Sequence, residues 1–360
     1  MSICPQDASP ASLSRSPTLR SHASRWLRTS ALVLTLALAA CASAPPAPVS
    51  GVDVSSQTAG TSRSPATGNT APAGSVPNAP IEPPTAQAAP RTIRIGLALG
   101  GGAARGFAHI GVIKALEAHG IHPDLVAGTS AGSVVAALYA SGMNGLQMNK
   151  AALKLDEASI SDWAMPFRSR GLLKGVALEN YLNTTLGNRK IEQFKMPLGI
   201  VATDLRTGEP ILFQRGNTGQ AVRASCSVPS IFEPVQIGGH EYVDGGLVSP
   251  VPAAFAHKMG ADFVIAVDIS SRPESAVTAS SIDMLMQTFT IMGQTIKAYE
   301  LDKYADVVIR PNLARMGGAD FADRNSAILA GEEAVQEAWP EIERKLAAAR
   351  NAPASLTSVR

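Results

Sequence analysis

Two glycine-rich turns hold the residues best placed to do chemistry. Gly128-Thr129-Ser130-Ala131-Gly132 has the form G-x-S-x-G between a predicted strand and a predicted helix. Such a turn needs small neighbours and presents the serine Oγ at a helix N-terminus, where the helix dipole favours negative charge. Ser130 is then either a nucleophile or simply the helix N-cap. The other turn is Gly100-Gly101-Gly102-Ala103-Ala104-Arg105-Gly106. A dinucleotide fingerprint needs a glycine where Arg105 stands, and a phosphate-cradling loop needs Lys-Ser/Thr where Phe107-Ala108 follow. What remains is a loop whose backbone N–H groups face a developing anion, with glycine allowing close approach and positive φ.

A serine nucleophile needs a base. His109, His119 and His122 fall in the first crossover, and only His240 and His257 follow Ser130. His257 sits in a helical stretch and His240 in a hairpin turn, so neither is a strong candidate. Asp204, Asp244 and Asp268 end predicted strands. Asp244 ranks first because Gly245-Gly246 leaves its backbone uncrowded, but composition alone does not decide among the three. A carboxylate base also has to be buried to be effective.

The elements that must position these groups read as β-α-β from the first apolar run. Ile93 to Leu99 is strand-like, Phe107 to Ala118 is helical with Ile110, Ile113 and Leu116 on one face, and Leu125 to Gly128 is a second strand. A crossover this short predicts parallel, adjacent strands. Their C-terminal ends would lie about 5 Å apart, so the glycine loop and Ser130 converge where open α/β sheets build sites. Leu198 to Thr203 and Phe263 to Ile269 read as buried parallel strands. Gln236 to Val243 reads as a hairpin, and Ala131 to Ser141, Ser281 to Leu301 and Asn325 to Ala348 as helices. The expectation is an α/β fold with helices on both faces of the sheet. Met284, Leu285, Met286, Phe289 and Met292 of the Ser281 to Leu301 segment could line an acyl cleft, though core or dimer contacts are the more ordinary use.

The N-terminus reads as an address and a tether. Four arginines precede the apolar run ALVLTLALAA, Ala31 to Ala40, which is too short to span a bilayer but suits a secretory signal. Leu38-Ala39-Ala40-Cys41 has the pattern of a bacterial lipoprotein signal, with Cys41 as the lipidated residue. Ala42 after the cysteine resembles cargo for the outer membrane, which predicts a cell-envelope lipoprotein facing the periplasm. From Ala42 to Pro90 there are ten prolines, three charges and no aromatic residue, the composition of a disordered linker. The predicted organisation is a signal over 1–40, Cys41 and linker over 41–91, a hydrolase-type domain over 92–350 and a tail over 351–360.

Composition narrows the classes further. Of 31 basic and 29 acidic residues, four and one lie in the first forty, leaving 31 − 4 = 27 basic against 29 − 1 = 28 acidic. No basic surplus remains for nucleic acid. Of Cys4, Cys41 and Cys226, only the last is in the globular part, so neither an internal disulfide nor a zinc site is expected.

Gly100-x-Gly102-Ala103-Ala104-Arg105-Gly106, Gly128-Thr129-Ser130-Ala131-Gly132 and Asp244-Gly245-Gly246, in this order, resemble the patatin-like phospholipases, notably the bacterial branch related to neuropathy target esterase. Val201-Ala202-Thr203-Asp204-Leu205 and Arg223-Ala224-Ser225-Cys226-Ser227-Val228-Pro229 agree with it. The resemblance runs from about Ile93 to Ile269. It implies a three-layer α/β/α fold with a mostly parallel sheet, Ser130 as nucleophile and Asp244 as base without a histidine. It also implies an oxyanion hole from the loop Gly100, Gly101, Gly102, Ala103, Arg105 and Gly106, and action on acyl esters of membrane lipids without metal or cofactor. Two departures stand out: Ala103 replaces the third glycine of the plant-type loop, and Ser230 stands where glycine is common. The alternatives are a tethered adaptor on the same fold with little turnover, and an esterase using His257.

Overall fold

The computed structural model describes residues 92–154, 162, 170–275, 279–318 and 320–352. The predicted signal, Cys41, the linker and the residues after 352 lie outside the described residues.

The chain opens with β1 (Ile95–Leu99), α1 (Phe107–Ala118), β2 (Leu125–Thr129), α2 (Ala131–Ala140) and α3 (Gly145–Lys154). It continues with β3 (Gly171–Leu173), α4 (Val176–Thr185), β4 (Leu198–Asp204), β5 (Pro210–Phe213), α5 (Thr218–Ser225) and β6 (Ser230–Phe232). After β7 (Val235–Ile237) and β8 (His240–Asp244) come α6 (Ala253–Lys258), β9 (Phe263–Val267), α7 (Ser281–Tyr304), β10 (Val307–Ile309) and α8 (Arg324–Asn351).

One sheet runs β10-β9-β1-β2-β4-β8-β7, with β5 paired to β4. The pairs from β10 through to β4 are parallel, while β5 and β8 pair β4 antiparallel and β7 pairs β8 antiparallel. The predicted β-α-β unit is present: Leu97 pairs with Val126 and Leu99 with Gly128. The expected hairpin turns at Gly238-Gly239, both with positive φ. Short strands such as β3, β5 and β10 were not legible, because three or four residues carry too little periodicity.

Alternation along the strands builds the three layers. Leu97, Leu99, Val126, Ile265 and Val267 pack into a large core with residues of α1, α2 and α8. The intervening Ala98, Ala127, Val264 and Ala266 face the other side, under Ala253 and Ala256 of α6 and Leu301 of α7. Every residue of β1, β2, β4 and β9 is buried, as strands covered on both faces must be.

α1 and α8 touch backbone to backbone through two glycines. A Cβ on Gly111 would fall 1.8 Å from the Ile328 carbonyl oxygen, and one on Gly331 would fall 2.1 Å from that of Ala108. Alanine has better helix propensity than glycine by about 1 kcal/mol, whereas forcing two packed helices apart costs about 1–3 kcal/mol. Gly331→Ala is predicted to lower the thermal unfolding midpoint by several degrees; a raised midpoint would contradict this packing.

Candidate active site

Ser130 is the residue between the last of β2 and the first of α2, with φ 52° and ψ −126°. A non-glycine residue in this region is strained, and such strain persists only where the surroundings over-determine it. Here they do. Ser130 N–H donates to Ser225 Oγ at 2.9 Å, and Ser225 Oγ donates to the Val201 carbonyl at 2.5 Å. The Ser130 carbonyl accepts from Ser133 N–H at 2.8 Å and Ser133 Oγ at 2.6 Å. Thr129 Oγ1 donates to the Ser249 carbonyl. Gly128 and Gly132 serve close approach rather than unusual φ: added Cβ atoms would lie 2.5 Å from the Gly132 oxygen and 2.1 Å from the Leu99 oxygen.

Sheet register delivers the carboxylate. On β4, Val201 pairs with Thr129 of β2, and the next residue, Ala202, pairs with Asp244 of β8. The last residue of β8 is thereby set level with the end of β2, across β4. Asp244 is 6% exposed; its N–H donates to the Ser227 carbonyl and its own carbonyl accepts from Thr203 Oγ1. Oδ1 accepts from Gly246 N–H at 2.7 Å, while Oδ2 is buried without a hydrogen-bond partner among the described residues. Burial pushes the Asp244 pKa up to about 6, and the neighbouring Ser130 hydroxyl and the Gly246 N–H pull against it. The Ser130 hydroxyl is thus near enough to favour the carboxylate without meeting hydrogen-bond geometry in this state. Gly245 has no room for a Cβ, which would fall 2.3 Å from the Val201 oxygen.

The other carboxylates are placed elsewhere. Asp204 accepts from the backbone N–H groups of Thr207 and Arg206 and pairs with His240 Nδ1 at 2.8 Å; these contacts, Thr207 first, take its pKa down to about 2. Asp268 pairs with Lys297 at 3.0 Å. His257 is exposed on α6, its ring against Tyr304.

The glycine loop divides its amides. Gly100 N–H donates to Val267, Gly101 to Pro250, Ala104 to Gly318 and Arg105 to Gly102, each to a carbonyl. Gly102 and Ala103, at the start of a short 3₁₀ turn, are left with N–H groups that have no partner among the described residues. Of the six loop residues singled out in sequence, two therefore present free amides, while Gly100, Gly101, Arg105 and Gly106 build the loop. An added Cβ on Gly101 would sit 3.1 Å from Ser130 Cβ, and one on Gly106 2.9 Å from Ala131 Cβ, so the loop lies directly against the serine turn. The expected positive φ falls not on these glycines but on Ala103, at 52°; Ser230, the other departure, is at 69°. Both substitutions thus occupy backbone that glycine adopts without cost.

Three supporting residues were not assigned roles from sequence. His109 is fully buried on α1, with Nε2 2.8 Å from the Gly100 carbonyl oxygen. Since a carbonyl only accepts, Nε2 carries the proton and donates, and burial takes the pKa down to about 4, keeping the ring neutral. Its signal was a lone polar residue in the apolar run Phe107 to Ile113. Ser225 had a signal only in its small motif. Cys226 lies 3.9 Å from Ser133 Oγ; burial, then the Asp244 charge, pushes its thiol pKa up, so it stays protonated. Of the α7 residues proposed for a cleft, Met284 and Met292 are exposed, at 56% and 59%, and Met286 lines a cavity that Arg105 also lines.

Comparison with known proteins follows this geometry. Residues 97–257 match the patatin-like phospholipase family. An uncharacterized NTE family protein of Mycobacterium tuberculosis is 35% identical over 190 residues, covering 49% of this chain and 49% of the relative. Patatin-like phospholipase domain-containing protein 6 of Homo sapiens is 32% identical over 230 residues, covering 62% of this chain and 16% of the relative. This chain therefore spans about half the length of the mycobacterial protein and a much smaller share of the human one. The crystal structure of VipD from Legionella pneumophila superposes with a TM-score of 0.47 at 14% identity, covering 69% of this chain and 67% of that one. Residues 97–257 thus carry the patatin fold, in a chain similar to proteins of the NTE family.

Proposed function

We propose that this protein is a lipid acyl hydrolase with a Ser130–Asp244 dyad. The observation that carries the reading is the register on β4, which sets a buried carboxylate, one oxygen of it without a partner among the described residues, level with a serine held in a strained turn. Asp244 Oδ2 accepts the Ser130 proton as Oγ attacks the ester carbonyl, and the Gly102 and Ala103 amides hold the oxyanion. The acyl group passes to Ser130 as the alcohol leaves with a proton. Water, activated by Asp244, then attacks the acyl-enzyme, releasing the fatty acid and restoring Ser130. His109 fixes the loop through Gly100, and Ser225 fixes the Ser130 backbone; both are positioning residues.

A fluorophosphonate probe on the full chain in detergent is predicted to add once, by intact mass, and Ser130→Ala to abolish the adduct. His257→Ala should retain both adduct and ester hydrolysis, whereas an adduct surviving Ser130→Ala would refute the nucleophile. A folded wild-type chain that takes no adduct and hydrolyses no lipid would favour the adaptor reading.

The Asp244 proton sets the pH dependence. Protonated Asp244 cannot accept, so kcat/KM for a neutral ester should rise through about pH 6 and level off above it. Because the folded state raises this pKa from 3.8 to about 6, ionisation costs the fold on the order of 2–3 kcal/mol above pH 6, and the cost vanishes below the unfolded value. Asp244→Asn should therefore lose activity by several orders of magnitude yet unfold at a higher temperature than wild type at pH 8, with the gap closing by pH 4. An Asp244→Asn variant that keeps wild-type rates would rule out the dyad.

The same proposal includes tethering at the cell envelope through a lipid on Cys41, supported by the run ALVLTLALAA ahead of Leu38-Ala39-Ala40-Cys41. Cells fed an alkyne-tagged palmitate should label the wild-type chain and not Cys41→Ser; equal labelling of both would remove the anchor from the reading.

A further inference from the structure

Glu300, on α7, is a buried carboxylate that the proposed mechanism does not use. It is 6% exposed, and its partner Ser249 is 1% exposed. Ser249 Oγ donates to the carboxylate, 2.9 Å from Oε1 and 2.8 Å from Oε2, and Ala254 N–H donates to Oε1 at 3.0 Å. Both donors belong to one short stretch of chain, between the end of β8 and the first residues of α6. No cation pairs with Glu300 among the described residues. Lys297, one turn earlier on α7, is taken by Asp268 and Ser270. Residues 245–252 carry no charge. On α6 the His257 ring lies against Tyr304, and Lys258 is exposed. Burial pushes the Glu300 carboxyl up to about 7, while Ser249 and Ala254 pull it back. The fold therefore bears the cost of an acid here that a neutral side chain would avoid.

What Ser249 holds explains the position. Its N–H donates to the Gly245 carbonyl at 2.9 Å, just after Asp244, and its carbonyl accepts from Thr129 Oγ1 at 2.9 Å, just before Ser130. The next carbonyl, of Pro250, accepts the Gly101 N–H at 2.9 Å, one residue before the free amide of Gly102. Val251 then lies against Gly100, where an added Cβ would fall 2.8 Å from Val251 Cγ2. Three consecutive residues thus touch the chain beside the nucleophile, the base and the oxyanion loop. Their hydrogen bonds to the site use backbone groups, and the side-chain bond of Ser249 runs to Glu300.

We propose that Glu300 is a positioning residue, acting through Ser249 to hold the Ser130 turn and the glycine loop in place for acyl transfer. The inference rests on the hydrolase reading and adds to it a residue beyond the matched span 97–257. A carboxylate suits the task, because charge-assisted hydrogen bonds are shorter and stronger than neutral ones. Acyl transfer is sensitive to placement, since a shift of about 1 Å can cost about a hundredfold in rate. Glutamine keeps the shape and one acceptor but turns the other oxygen into a donor facing Ser249.

The test compares the full chain in detergent with Glu300→Gln, Ser249→Ala and the double variant, using a soluble p-nitrophenyl ester and a fluorophosphonate. Glu300→Gln should lower kcat and the rate of adduct formation by about tenfold or more, with KM within about twofold of wild type. Its thermal midpoint at pH 8 should not fall, because ionising Glu300 above about pH 7 costs the folded state and glutamine removes that cost. A residue serving stability alone would show the reverse, a lower midpoint with kcat intact, and that result would overturn the proposal. Ser249→Ala should lower kcat similarly and the double variant no further, as for groups acting as one unit. Ser249→Ala carries the test by itself if Glu300→Gln does not fold. Losses that multiply in the double variant would overturn the route through Ser249, and a raised KM with unchanged kcat would replace positioning by substrate binding. Wild-type kcat and adduct rate in both folded variants would overturn the role of Glu300 and leave the hydrolase reading intact. A folded wild type with neither adduct nor ester hydrolysis would overturn the hydrolase reading, and the role of Glu300 with it.

Discussion

Holding one serine in an unfavourable backbone conformation organises much of this domain. A non-glycine residue at φ 52° and ψ −126° costs on the order of 1–3 kcal/mol, which neighbouring contacts must offset. Four elements contribute: α2 through Ser133, α5 through Ser225, β4 through Val201 behind Ser225, and the segment after β8 through Ser249 on Thr129. The motif glycines let these backbones close in. Gly132 leaves no space for even a methyl group against Leu99, and Gly245 none against Val201. The same contacts that hold the strain therefore fix the ends of β1, β2 and β4 relative to one another.

Around the serine the ionisation states are set chiefly by burial. His109 is driven neutral and becomes a fixed donor to Gly100, and the Cys226 thiol is kept protonated. Asp244, raised to about 6, gains or loses its proton near neutrality, because burial is only partly offset by Ser130 and Gly246. Gly102 is half-buried and Ala103 exposed, so the dipoles of their free amides would act on an oxyanion most strongly once a bound ester excludes water. Arg105 is the one cation of the loop and lines the neighbouring cavity.

The Ala103 and Ser230 departures share one physical basis. Each stands at positive φ, where a side chain adds strain but leaves the backbone N–H in place. An alanine in the loop therefore costs stability while leaving the Ala103 donor available. That is why the loop keeps its donor with alanine in place of the plant-type glycine.

The sequence by itself determined the β-α-β opening, the two turns at neighbouring strand ends and the alternation that buries the sheet on both faces, because these depend on local periodicity and on residues whose size limits the backbone. It could rank Asp244 ahead of Asp204 and Asp268, and go further only by resemblance. Where the tertiary structure sets these carboxylates depends on register, since Asp244 reaches the level of the Ser130 turn through β8 pairing with Ala202 on β4, a contact between distant segments that no local pattern encodes. The tertiary structure also decided which loop amides stay free: Gly100 and Gly101 are taken by Val267 and Pro250, more than a hundred residues away in the chain. His109 and Ser225 acquired their hydrogen-bond partners in the same way. Hydrogen bonding and burial at such sequence separations are properties of the assembled fold, and residue type sets only what each group is able to do once it arrives there.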